Sequence, residues 1–324
     1  HAYTPGYGFS PKPPALLERQ LLGSYGCAAG CCMLGFFLLN SLIPSVLLRI
    51  FGMIFSVGRS SALEELLIEL ARAAGSIGAL TVPVFFYGLW AKIPACCALP
   101  ARRVPLRLTV SAVLVGLGVS VIGAFFTGLI VTLFGQLGLV FLPGSELPPA
   151  APAAKLVYLA NMTLLPALAE EFVFRGVLMQ SLRRFGDGFA LLCSAALFTL
   201  PHVLPVRFPF AFVMGLVIGY FVLFTGSVWT GVAIHFANNA ITLAAMQLEQ
   251  TGGFAVGLMA AHLLLLTVGI VAAVLLMRWY DGMFALRPSA SINTEGQKVH
   301  SFFGNLPMLL LLALVAVLAA GYLA

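Results

Sequence analysis

Long apolar runs dominate the chain, and the polar positions that interrupt them mark the element boundaries. Crossing hydrocarbon takes about 20 apolar residues. By that measure, spans are predicted near 26–48, 75–92, 109–141, 155–182, 189–204, 208–226, 228–248, 254–278 and 305–324. Residues 1–20, with Pro5, Pro11, Pro13 and Pro14, read as a polar, extended lead-in. Between the first two spans the pattern changes. Ser61-Ala62-Leu63-Glu64 has the form of a capping box. Leu63, Leu66, Leu67 and Leu70 then recur on one helical face, with Glu65, Glu69 and Arg72 away from it. This predicts an amphipathic helix near 60–74 lying in the membrane interface. The expected fold is an all-α polytopic membrane protein, a bundle of about eight or nine transmembrane helices plus one interfacial helix. Gly26-x-x-x-Gly30 and Gly215-x-x-x-Gly219 offer small-residue faces for close helix packing.

Composition agrees with the pattern. Of 324 residues, 61% are hydrophobic and 9% charged, and the mean hydropathy is +1.05. A soluble chain carries about 25% charged residues. A water-soluble enzyme, a nucleic-acid-binding domain and a disordered regulator are excluded, and no nucleic-acid partner is expected. The net charge of +6 fits loops facing anionic lipid. Lys92, Arg102, Arg103 and Arg107 share one loop, Arg183 and Arg184 close another, and Arg278, Arg287 and Lys298 lie in a third. The loop around Glu146 and the turn at 249–253 are charge-poor. Alternating these loops puts the N-terminus and the basic loops in the cytoplasm, as in a multi-pass protein of a bacterial cytoplasmic membrane. The six cysteines sit in or beside apolar runs and read as small apolar filler, with acylation near the interface as the alternative.

Four regions follow: a Pro/aromatic lead-in (1–25); N-terminal transmembrane helices containing the interfacial helix (26–147); a core carrying the chemistry (148–280); and a polar cytoplasmic loop with a final span (281–324).

An ionisable side chain in hydrocarbon costs roughly 2.5–3.5 kcal/mol on insertion scales, so one inside a span usually has a partner or a function. One span holds Glu170, Glu171 and Arg175 near its middle. Glu171 and Arg175, four apart, share a face and can pair. Glu170 is turned about 100° away and needs another partner or a water-filled cavity. Two later spans offer candidates: His202, one turn after Phe198, and His235 with Asn239 in His235-Phe236-Ala237-Asn238-Asn239. His262 is alone in its span and reads as structural. A buried carboxylate can take a proton from water, and a histidine can position that water. A second histidine and an amide can donate to a tetrahedral oxyanion. Together these groups describe amide hydrolysis without a covalent intermediate. There is no His-Glu-x-x-His and no Gly-x-Ser-x-Gly. A metal site built from Glu170, His202 and His235 stays open on ligand type. So do a small-solute transporter and a non-catalytic membrane scaffold.

Three ordered motifs carry a resemblance: Glu170-Glu171-x-x-x-Arg175, Phe198-x-x-x-His202 and His235-x-x-x-Asn239. Over residues 165–240 the chain resembles the CAAX-protease and bacteriocin-processing family, which includes the type II CAAX prenyl endopeptidases. The resemblance implies a glutamate-type intramembrane peptidase. Glu170 would be the general base, His202 its water-positioning partner, and His235 with Asn239 the oxyanion pocket. Glu171, Arg175, Phe198 and Asn238 would support the site. No cofactor and no resident metal are expected, with a metal-dependent intramembrane protease as an alternative. The expected substrate is a membrane-associated or lipid-modified peptide, with a further membrane-protein partner as an option. Within the same fold, a bacteriocin-immunity role is the non-catalytic alternative.

Overall fold

A computed structural model describes residues 2–4, 8–10, 12–54, 61–139, 148–250, 255–283 and 285–322. Glu146 and residues 251–253, singled out above as charge-poor connections, lie outside these. Two three-residue strands, β1 (Ala2–Thr4) and β2 (Gly8–Ser10), pair antiparallel, and helices follow. They are α1 (Pro14–Ile54), α2 (Ser61–Trp90), a short α3 (Ala95–Ala98) and α4 (Leu106–Gln136). Next come α5 (Pro152–Met162), α6 (Leu164–Glu170), a π-helical segment (Glu171–Leu178) and α7 (Met179–Leu182). The chain ends with α8 (Asp187–Thr199), α9 (Phe208–Thr225), α10 (Val228–Gln250), α11 (Ala255–Trp279), α12 (Glu295–Phe303) and α13 (Leu306–Ala320).

The all-α polytopic fold stands, with fewer spans than the apolar runs suggest. Six helical stretches among the described residues are long and apolar enough to cross a membrane, or seven with the bent α12–α13 pair. Two runs fall away for different reasons. The run near 189–204 becomes α8, whose 13 residues reach only about 20 Å at 1.5 Å per residue. The run near 228–248 does become a 23-residue helix, α10. Its histidine, asparagines and glutamines keep it out of the apolar set.

The separate interfacial helix is also corrected. The expected interfacial helix and the span after it merge into one 30-residue helix, α2. The expected faces are partly inverted, because Glu69 is buried and Leu70 is 42% exposed. The reason is a polar cluster: Glu69 accepts from Arg72 (3.0 Å) and from Asn161 of α5 (2.9 Å). A carboxylate so partnered can face the bundle, while Leu70 is free to face lipid. The lead-in is shorter than expected too, since α1 starts at Pro14.

Packing places the motif-bearing span at the centre. The main apolar core gathers Val173, Phe174, Val177 and Leu178 of the π-helical segment with Phe198 of α8 and residues of α1 and α2. A second core joins α4, α9 and α10 through Ala112, Ile218, Phe221 and Ile234. The small-residue face of α9 does what such faces do: a Cβ on Gly215 would lie 3.1 Å from the Cα of Ala195 on α8. A polar clasp ties the C-terminal segment to the rest. Asn293 bonds Arg19 and Glu18 at the start of α1. The fully buried Lys298 donates to the Phe185 carbonyl at 2.9 Å.

Candidate active site

The central span is not a regular helix, and its irregularity carries the polar residues. Thr163, with φ −126° and ψ −70°, separates α5 from α6. Helix α6 then ends at Glu170, where the π-helical segment begins. Such segments are rare and concentrate at functional sites. Side chains bond two of its carbonyls. The Phe174 carbonyl accepts from the Met179 amide and from the buried Ser194 hydroxyl at 2.8 Å. The Arg175 carbonyl accepts from the Gln180 amide at 3.0 Å.

Glu171 and Arg175 are completely buried and joined by a 2.7 Å ion pair. A buried pair needs its remaining polar atoms engaged to offset desolvation. The guanidinium lies 4.1 Å over the Phe198 ring and donates to the Gly215 carbonyl at 3.3 Å. Oε1 of Glu171 is shared, because His235 Nδ1 approaches it at 2.9 Å. Oε2 of Glu171 and Nε of Arg175 have no partner among the described residues. Space for Oε2 depends on Gly231, where a Cβ would sit 2.8 Å away.

Glu170 is in a different position. Its side chain retains 19% exposure, against none for Glu171. Its Oε2 stands 3.9 Å from His235 Nε2, beyond hydrogen-bond range. The His235 ring therefore lies between the two carboxylates, bonded to one and facing the other. Phe198 is the hub of the aromatic packing: its centroid is 5.3 Å from His202, 5.6 Å from His235 and 5.5 Å from Phe174.

Six of the residues singled out in the sequence are thus joined by direct contacts: Glu170, Glu171, Arg175, Phe198, His202 and His235. Asn238 and Asn239 lie one turn further along α10, where Asn238 Nδ2 donates to Asn239 Oδ1 at 3.3 Å. No described contact ties either amide to the carboxylates. Asn238 Oδ1 is buried without a partner among the described residues. His262 bonds the Leu258 carbonyl of its own helix, in keeping with a structural role. Among the described residues, no three of His, Cys, Asp and Glu converge as metal ligands, so Glu170, His202 and His235 do not form that set.

Sequence reasoning missed Ser194, Gln180 and Gly231. Two of them carried a faint signal: Ser194 is one helical turn before Phe198, and Gly231 one turn before His235.

The fold and site define a polytopic membrane protein with a Glu–His–Glu–Arg constellation, buried except for the partly exposed Glu170. Residues 152–241 match the family model for type II CAAX prenyl endopeptidase Rce1-like proteins, a family of peptidases. That stretch contains all three motifs and the whole constellation, so the resemblance read from the motifs holds over it. Neither the curated proteins nor the solved structures compared with the chain give a match.

Proposed function

We propose that the protein is an intramembrane endopeptidase, hydrolysing a peptide bond of a membrane-associated or lipid-modified peptide by direct attack of water. The observation that carries this reading is His235 standing between Glu171 at 2.9 Å and Glu170 at 3.9 Å. Glu171, already paired with Arg175, is an acceptor, so His235 Nδ1–H donates to it and the ring orientation is fixed. The partly exposed Glu170 is then the general base that takes the proton of the attacking water. His202, packed against the same Phe198 ring as His235, positions that water.

His235 Nε2 can accept if the ring is neutral or donate if it is an imidazolium. Stabilising an oxyanion requires the second form. Asn239, one turn along α10, adds an amide donor to that pocket. Proton and charge balance follow. Water gives one proton to Glu170 and its oxygen to the carbonyl carbon, the oxyanion collapses, and the amine leaves with the proton returned by Glu170. No metal step and no covalent intermediate are needed. In this reading residues 148–280 form the catalytic core, and the N-terminus and basic loops face the cytoplasm.

The test is cleavage in proteoliposomes containing the purified chain and one peptide in prenylated and unprenylated forms, with products read by mass spectrometry. Cleavage of the membrane-bound form, undiminished by a metal chelator, is the expected result. Cleavage abolished by the chelator and restored by added metal would overturn the direct-water mechanism.

A further inference from the structure

The three basic loops, far apart in sequence, meet at one end of the bundle. The Arg102 amide donates to the Gly226 carbonyl just after α9 (3.2 Å), and the Arg107 guanidinium lies 5.8 Å over the Tyr280 ring. The Asp187 amide donates to the Arg287 carbonyl (3.4 Å). Between the second and third of these loops and α9 is a cavity of about 150 Å³, with Arg183, Asp187 and Arg287 as its charged walls and Tyr220, Leu223 and Phe224 of α9 as apolar ones. A cavity of this size holds a benzene-sized group, enough for a phosphate and its first carbons.

Its walls are prearranged. Arg183 is fixed by Asp187, at 2.8 Å from Nε and 3.4 Å from Nη2, and by Gln180 Oε1 at 3.1 Å. These bonds use three of its five N–H donors. The segment carrying Arg287 is anchored by its own carbonyl and, a few residues later, by the bonds of Asn293 to α1. The Arg287 side chain is exposed and has no ion-pair partner among the described residues. One carboxylate therefore faces two guanidiniums, leaving a net positive charge and free N–H donors at the cavity.

Its depth in the membrane points to the ligand. The membrane-length helical stretches 152–185 and 205–225 end beside it, and 257–279 ends shortly before the segment that forms its wall, as expected of a site at the headgroup level of a bilayer. Basic pockets between transmembrane helices at that level bind anionic headgroups. Guanidinium groups match phosphate oxygens in geometry and charge.

We propose that this cavity binds a phosphate-bearing anion between Arg183 and Arg287, either the headgroup of an anionic phospholipid or free phosphate. The proposal does not depend on the peptidase reading. It is tested by native mass spectrometry of the detergent-purified full chain, titrated with dihexanoyl phosphatidic acid and with dihexanoyl phosphatidylcholine. Phosphatidic acid should bind at least about tenfold more tightly, the scale of one charge-assisted hydrogen bond. Arg287→Ala should erase that preference and Arg287→Lys should restore part of it. Arg49→Ala, which removes the same charge at the far end of α1, should leave it intact. Displacement by inorganic phosphate would identify the site as one for free phosphate, and failure to displace would assign it to the lipid headgroup. Equal binding of the two lipids by the wild type, or a loss in Arg49→Ala matching that in Arg287→Ala, would overturn the proposal.

Discussion

At the residue scale, one oxygen organises the site. Oε1 of Glu171 receives both Arg175 and His235, so in the proposed mechanism this carboxylate orients the imidazole rather than reacting itself. Removing one partner of such a pair strands a buried charge, at a cost of about 3–5 kcal/mol. Arg175→Met should therefore lower the thermal unfolding midpoint sharply. The double change Glu171→Leu with Arg175→Met should regain much of that loss while turnover stays absent. Gly231→Ala tests the same oxygen from the other side. Its Cβ would press on Oε2 of Glu171 and on Val222, an overpacking cost of about 1–3 kcal/mol. Turnover should fall by at least about tenfold, because a displaced Glu171 misaims His235. A Gly231→Ala enzyme with unchanged kcat would show that the Oε2 clearance does not matter.

At the element scale, the π-helical segment sets where Glu170 and Glu171 point. Ser194, on a neighbouring helix, bonds one of its carbonyls. Ser194→Ala leaves the Phe174 carbonyl with its backbone bond alone and should cost about 0.5–1.5 kcal/mol. It should lower kcat more than it raises KM. Ser194→Thr, which keeps the hydroxyl, should recover most of the rate. Equal losses in the two variants would place the effect in packing volume instead.

Elements also separate what the sequence made legible from what it did not. Intramembrane charges are costly wherever they sit, so Glu170, Glu171 and Arg175 stood out from local pattern alone. The i,i+4 pairing of Glu171 with Arg175 was likewise local. The bond from His235 to Glu171 spans 64 positions and arises from tertiary packing that periodicity does not encode. The burial of Glu69 was hidden for the same reason: its partner Asn161 lies 92 positions away. Span number was overcounted because an apolar run reveals neither its helix length nor how far its polar residues dilute it. The run holding α8 gives a 13-residue helix, buried among protein neighbours rather than crossing the bilayer alone.

At the scale of the whole molecule, the basic loops gather at one end, and the positive-inside bias predicts that this end faces the cytoplasm. Cys96 and Cys97 are exposed near that end. In a variant keeping Cys97 as its only cysteine, a membrane-impermeant maleimide should label inside-out vesicles and spare intact cells. The reverse pattern would invert the assigned topology.

The central claim is that Glu170 activates the water while Glu171 holds the histidine. The most direct measurement compares Glu170→Gln with wild type in the proteoliposome assay, alongside thermal unfolding of both. General-base loss typically costs about 10²–10⁴-fold. Turnover should fall by that order with the unfolding midpoint retained, since Glu170 is partly exposed and its side chain makes no hydrogen bond among the described residues. Wild-type turnover by the folded Glu170→Gln protein would contradict it.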